Sequence, residues 1–122
     1  MSFGAPTPIL RSFDETKARE FYIDFMGFEV DFEHRFGPDA PLYLGVKRGD
    51  CVLHLSEHHG DCSPGAQVRV PVSALTDFVR GLRDKKYKYA NPGDPVETPW
   101  GLVEVSIRDP FGNSLTLFEP PP

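Results

Sequence analysis

Six side chains of the types that ligate zinc crowd into residues 54–62: His54, Glu57, His58, His59, Asp61 and Cys62. Their spacing argues against one metal centre. His58 and His59 are adjacent, so in an extended chain they point to opposite sides. No second pair of ligands stands at a finger-like spacing elsewhere. The same residues read as a polar loop leaving a strand. His54 stands apart from the rest, alternating with Val52 and Ser56 along one strand face. There it either lines a binding surface as a neutral hydrogen-bonding group or packs into the core. Cys51 and Cys62 have histidines nearby but no third group at a spacing that would orient a nucleophile and its base. The glycines at 60 and 65 do not make a phosphate loop, because no lysine and no helix follow them.

Side chains suited to binding are easier to pick out. Trp100 lies between Pro99 and Gly101 after a proline-rich stretch. A large aromatic on a stiffened rim offers a stacking surface at small entropic cost; otherwise it fills the core beneath the loop. Phe32 and Phe36 alternate with Val30 and His34, either along a groove or in ordinary packing, with Asp31 and Glu33 on the opposite face. Arg11 shares a strand face with Thr7, and Arg69 with Gln67. Two guanidiniums in a cleft would suit a carboxylate or phosphate. The alternative is that each pairs with a carboxylate of the chain such as Glu104 or Glu119.

The elements that position these groups follow a repeated plan. Ala18, Phe21, Tyr22 and Phe25 have the i, i+3, i+4, i+7 spacing of an amphipathic helix, and Leu75, Phe78, Val79 and Leu82 repeat it 57 positions later. Ser12 with Glu15 makes a capping box for the first helix, Gly27 ends it, and Ser73 caps the second. Strand patterns cover 7–11 before the first helix and 29–36, 42–46 and 51–55 after it. In the second half they cover 67–72, then 87–90, 102–107 and 114–118. Gly49-Asp50 and the Asp109 to Asn113 stretch supply turns. The expectation is an α+β fold: one domain, 1–122, built of βαβββ halves at 6–60 and 66–119. Together they would form a curved mixed sheet with a cleft on its concave side.

Composition narrows the partners. The 122 residues are 39% hydrophobic and 25% charged, with a net charge of −5. An acidic chain is a poor match for nucleic acid, whose affinity comes mostly from Lys and Arg. No apolar run approaches the roughly 20 residues that span a bilayer, and the N-terminus has no basic-then-apolar signal pattern. Two cysteines without an export signal suit reduced thiols in the cytoplasm.

Lys17-Ala18-Arg19-Glu20-Phe21-Tyr22 followed by Met26-Gly27-Phe28, and Pro99-Trp100-Gly101 followed by Arg108-Asp109-Pro110-Phe111-Gly112-Asn113, resemble the vicinal oxygen chelate superfamily. That superfamily includes glyoxalase I, extradiol dioxygenases and the fosfomycin and bleomycin resistance proteins. The resemblance spans about residues 6–119, and the Trp100 piece is most similar to the bleomycin resistance branch. It implies a homodimer with N-terminal strands exchanged at a proline hinge, here Pro8. It also implies sequestration of a bulky cationic or aromatic antibiotic without catalysis, with Trp100, Phe32, Phe36 and His54 lining the cleft. In glyoxalase-like enzymes an arginine at the position of Arg11 helps bind an acidic cosubstrate, so an anionic metabolite is the competing ligand. The superfamily's metal positions fall on Thr7, His54, Gln67 and Thr116, of which only His54 is a good ligand. The expectation is therefore no metal and no cofactor, with a metal-dependent lyase, isomerase or dioxygenase as the alternative.

Overall fold

The computed structural model describes residues 1–120. The chain divides into two compact units, Met1–Pro64 and Gly65–Pro122. In the first unit β1 (Ile9–Arg11) leads into α1 (Glu15–Arg19), which continues as a π-helical turn at Glu20–Phe25, followed by β2 (Glu29–His34), β3 (Tyr43–Arg48) and β4 (Cys51–Ser56). In the second, β5 (Gln67–Pro71) precedes α2 (Leu75–Asp84), then β6 (Val96–Glu97), β7 (Val103–Arg108) and β8 (Ser114–Glu119). The sheets have equivalent orders, β1-β4-β3-β2 and β5-β8-β7-β6. In each, the first strand runs parallel to the last and the other pairs are antiparallel. The architecture is thus α+β, with a βαβββ order in both halves.

Pleating sends alternate residues to opposite faces. In the first unit Leu44, Val46, Leu53 and Leu55 point to one face and are buried, as are Ala18, Phe21, Tyr22, Phe25 and Met26 from the helix. The helical spacing in the sequence thus marks the core side. A backbone bond from Met26 N to Phe21 O at 2.8 Å widens the last turn into π geometry, and Gly27, at φ +80°, turns the chain out. The Arg48 guanidinium donates to the Met26 and Gly27 carbonyls at 3.2 and 3.1 Å, satisfying groups that the helix end leaves open. In the second unit Leu75, Val79 and Leu82 are buried with Ile107, Leu115 and Leu117.

Both helix starts differ from the expected caps. Asp14, not Ser12, accepts from Lys17 N at 2.9 Å, because the helix begins at Glu15 and Ser12 is tied to β4 through Ser12 N–Ser56 O. Ser73 does not cap α2. Ala74 stands there at φ 52°, and the Glu119 carboxylate accepts from Leu75 N at 3.0 Å. The strand expected at 87–90 is absent. Its place beside β7 is taken by Val96–Glu97, with Val96 opposite Glu104.

The turn between β7 and β8 is held by one carboxylate. Asp109 is buried, and its Oδ1 accepts from Phe111 N and Asn113 N at 2.8 Å each, while Oδ2 accepts from Asn113 Nδ2 at 2.7 Å. Gly112 supplies the positive φ, +88°. Asp109→Ala leaves these donors without the acceptor and is expected to cost about 2–3 kcal/mol, read as a lower urea midpoint with an unchanged m value.

Candidate functional site

The face of the first sheet opposite the core is aromatic and incompletely covered. Register places Tyr43 opposite both His34 and Ser56, and Gly45 opposite both Phe32 and His54. Tyr43 Oη lies 2.8 Å from His54 Nδ1. The Phe32 ring stacks on Tyr43 at 6.0 Å between centroids with 19° between planes, and meets His54 edge-on at 5.0 Å. Glycine at 45 makes this possible, since a Cβ there would run into the Phe32 ring. Burial raises the Tyr43 phenol above its ordinary value, with smaller contributions from Asp61 and Cys62, so Tyr43 carries its proton at neutral pH.

The expected alternation along β2 is broken. A register shift between Val30 and Phe32 makes Asp31 an extra residue, so Val30 pairs with Val46 and Phe32 with Gly45, on opposite faces. Phe32 reaches the open face because of this bulge. Asp31 is 3.6 Å from Lys47, and Glu33 is bridged to Arg19 at 2.8 Å. The strand ends at His34, two residues short of Phe36, whose exposed ring packs edge-on to His34 at 4.6 Å and to His58 at 5.9 Å.

Arg11 points into the protein. It is 5% exposed and donates to the carbonyls of Ser56 at 3.0 Å, His58 at 2.9 Å and Cys62. The polar residues at 57–62 form the loop that closes over it, with Ser56 Oγ donating to Asp61 at 2.6 Å. These three partners are backbone carbonyls, where the sequence offers a carboxylate. Among the described residues no group of three or more His, Cys, Asp and Glu is placed to hold a metal ion.

In the second unit, Arg69, Thr116, Phe118, Ser106 and Glu104 share the face opposite the core. Arg69 pairs with Glu104 through its two terminal guanidinium nitrogens, at 2.8 and 3.3 Å, and lies 4.8 Å from the Phe118 ring centroid. Trp100 is 65% exposed at the tip between β6 and β7, and its Nε1 donates to Glu104 Oε2 at 2.7 Å. The tip is closed by Thr98, which bonds Leu102 through both backbone and hydroxyl. Gln67 Nε2 donates to the Thr116 hydroxyl at 3.1 Å, and that hydroxyl is 2.9 Å from Ser106 Oγ.

The four superfamily metal positions do not suit a divalent ion. Gln67 and Thr116 are neutral oxygen donors already bonded to each other. Thr7 lies exposed ahead of β1, and His54 Nδ1 is engaged by Tyr43. Such a set offers one imidazole and no thiolate or carboxylate, short of the roughly three strong ligands that hold a transition metal.

Sequence reasoning named Glu104 as a possible partner of Arg69, as the structure shows, and missed Tyr43, Phe118 and the bond from Trp100 to Glu104. The residue types carried a signal, since Tyr43 opens a strand and Glu104 is the fourth residue after Trp100. Only register puts them beside His54, Arg69 and Trp100.

The family model for "Glyoxalase superfamily protein" matches residues 1–120. Among solved structures, the chain is similar to TnmS3, an antibiotic binding protein from Streptomyces sp. CB03234, at 23% identity and TM-score 0.78, over 99% of each chain. It is similar to a bleomycin-binding protein complexed with bleomycin at 23% identity and TM-score 0.75, over 98% of this chain and 100% of that one. A bleomycin resistance determinant encoded on transposon Tn5 aligns at 21% identity and TM-score 0.72, over 97% and 98%. No curated protein matches the chain by sequence. At these identities the solved structures establish the fold, and the match across residues 1–120 shows that the chain belongs to the glyoxalase superfamily.

Proposed function

We propose that this protein binds a bulky aromatic or cationic small molecule of the bleomycin type and sequesters it without catalysis, as a cytoplasmic homodimer whose cleft is completed by a second copy. The observation that carries this reading is a pair of sheet faces set with aromatic surfaces. One presents the Phe32–Tyr43–His54 cluster, and the other presents Trp100, fixed at its polar edge with its ring exposed. Stacking and apolar contact supply affinity, while His54 and Tyr43 offer polar contacts. The net charge of −5 draws a cation inward. The two arginines favour this reading over an anionic metabolite. Arg11 is occupied by carbonyls and Arg69 by Glu104.

Titration with metal-free bleomycin tests the proposal. Saturable quenching of the single tryptophan with matching calorimetric heat is expected at micromolar protein. Light scattering on the same sample is expected to give the mass of two chains. Absence of both heat and quenching overturns the binding role, and a single-chain mass overturns the shared cleft.

A further inference from the structure

The arrangement around Glu104 goes beyond holding an aromatic ring in place. Its side chain is less exposed than those of the two groups that donate to it: 11% is accessible, against 44% for Arg69, and Trp100 is exposed. One oxygen, Oε2, accepts from both the Trp100 indole at 2.7 Å and Arg69 Nη2 at 2.8 Å, and the other accepts from Arg69 Nη1 at 3.3 Å. Arg69 in turn lies over the Phe118 ring. Two consequences follow. The indole is fixed at its polar edge, which leaves its face for stacking. The charge of Arg69 is cancelled beside that face, and the geometry is the planar, two-pronged one in which guanidinium binds carboxylate best. A ligand carboxylate reaching Arg69 must therefore displace Glu104 from it or share it against the repulsion of a second like charge.

We infer that Glu104 sets the charge selectivity of the Trp100 face: by occupying Arg69 it admits flat ligands that are neutral or cationic and rejects those carrying an acidic group. This rests on the stacking role of Trp100 proposed above. The ordinary values of the two groups move as such a lock requires. The hydrogen bond from Arg69, with that from Trp100 second, holds the Glu104 carboxyl below its usual range. The Glu104 bond raises Arg69.

The test uses two acridines of like shape, 9-aminoacridine as the cation and acridine-9-carboxylate as the anion, followed by calorimetry on the full chain. The wild-type protein is expected to prefer the cation. In Glu104→Gln the amide oxygen can still accept from the indole, but Arg69 loses its counter-charge. The cation-to-anion affinity ratio is expected to fall by roughly fivefold or more, mainly through tighter binding of the carboxylate. Arg69→Met, which leaves Glu104 charged, is expected to move the ratio the opposite way. It keeps the inference testable if the first variant does not fold. A purely structural role for Glu104 would weaken both probes alike. An unchanged ratio in either folded variant, with the wild type still binding the cation, overturns the inference and leaves the stacking role standing. Failure of the wild type to bind both acridines and bleomycin overturns the stacking role and this inference with it.

Discussion

Arg11→Met is expected to lower the unfolding free energy by about 3–5 kcal/mol, the largest stability effect at any of the candidate ligand-binding positions. The side chain ends β1 and lies buried, with its guanidinium donating to the carbonyls of Ser56, His58 and Cys62. Ser56 ends β4, the parallel neighbour of β1, and the other two carbonyls belong to the loop that follows. One planar, five-donor group thus ties the end of β1 to the end of β4 and to the loop that follows it. Methionine replaces the stem and its packing but donates to none of the three carbonyls. Each carbonyl without a partner costs about 1–3 kcal/mol where water cannot reach it. Lysine keeps the charge but presents a compact ammonium in place of the fork, so Arg11→Lys is expected to lose about half as much. Urea denaturation followed by circular dichroism measures both. A loss below about 1 kcal/mol for Arg11→Met would show that the guanidinium is not a structural clasp, and it would reopen the reading in which Arg11 meets an acidic ligand.

Arg11 also marks the limit of what the sequence can say. Its place on a strand beside Thr7 is legible from alternation, but its partners are backbone carbonyls 45 to 51 residues away, and carbonyls have no residue type. The cap of α2 fails to show for the same reason, because Glu119 reaches Leu75 from 44 positions on while Ser73 sits close by with the right chemistry. The features carried by local periodicity are readable. Ala18, Phe21, Tyr22 and Phe25 are buried as their spacing implies, and the two halves repeat one strand order. The bulge at Asp31 is the counter-example, since nothing in the composition of β2 announces an extra residue. It moves Phe32 from the face of Val30 to the face of His54. The pattern at 87–90 misleads for another reason. Tyr87 and Tyr89 are strand formers by type, yet their rings pack edge-on to each other at 5.6 Å outside any sheet. The edge beside β7 is filled later in the chain by the short β6.

Trp100→Ala is expected to separate binding from folding in the opposite sense to Arg11→Met. The indole is 65% exposed at a hairpin tip whose closure depends on Thr98 and Leu102, not on the ring. Removing it leaves Glu104 still paired with Arg69. Stability should therefore stay within about 0.5 kcal/mol of the wild type. Affinity for metal-free bleomycin should fall roughly thirtyfold or more, the size of effect expected when an aromatic anchor is truncated. Calorimetry is the measurement, because the variant has no tryptophan left to report quenching. Trp100→Phe restores a stacking face without the N–H that Glu104 holds. It should recover part of the affinity, and the shortfall measures what fixing the ring contributes. If Trp100→Ala binds within about threefold of the wild type, the exposed indole is not an anchor. The binding surface would then have to be sought on the Phe32–Tyr43–His54 face, where stacking and the polar edges of Tyr43 and His54 would carry the ligand.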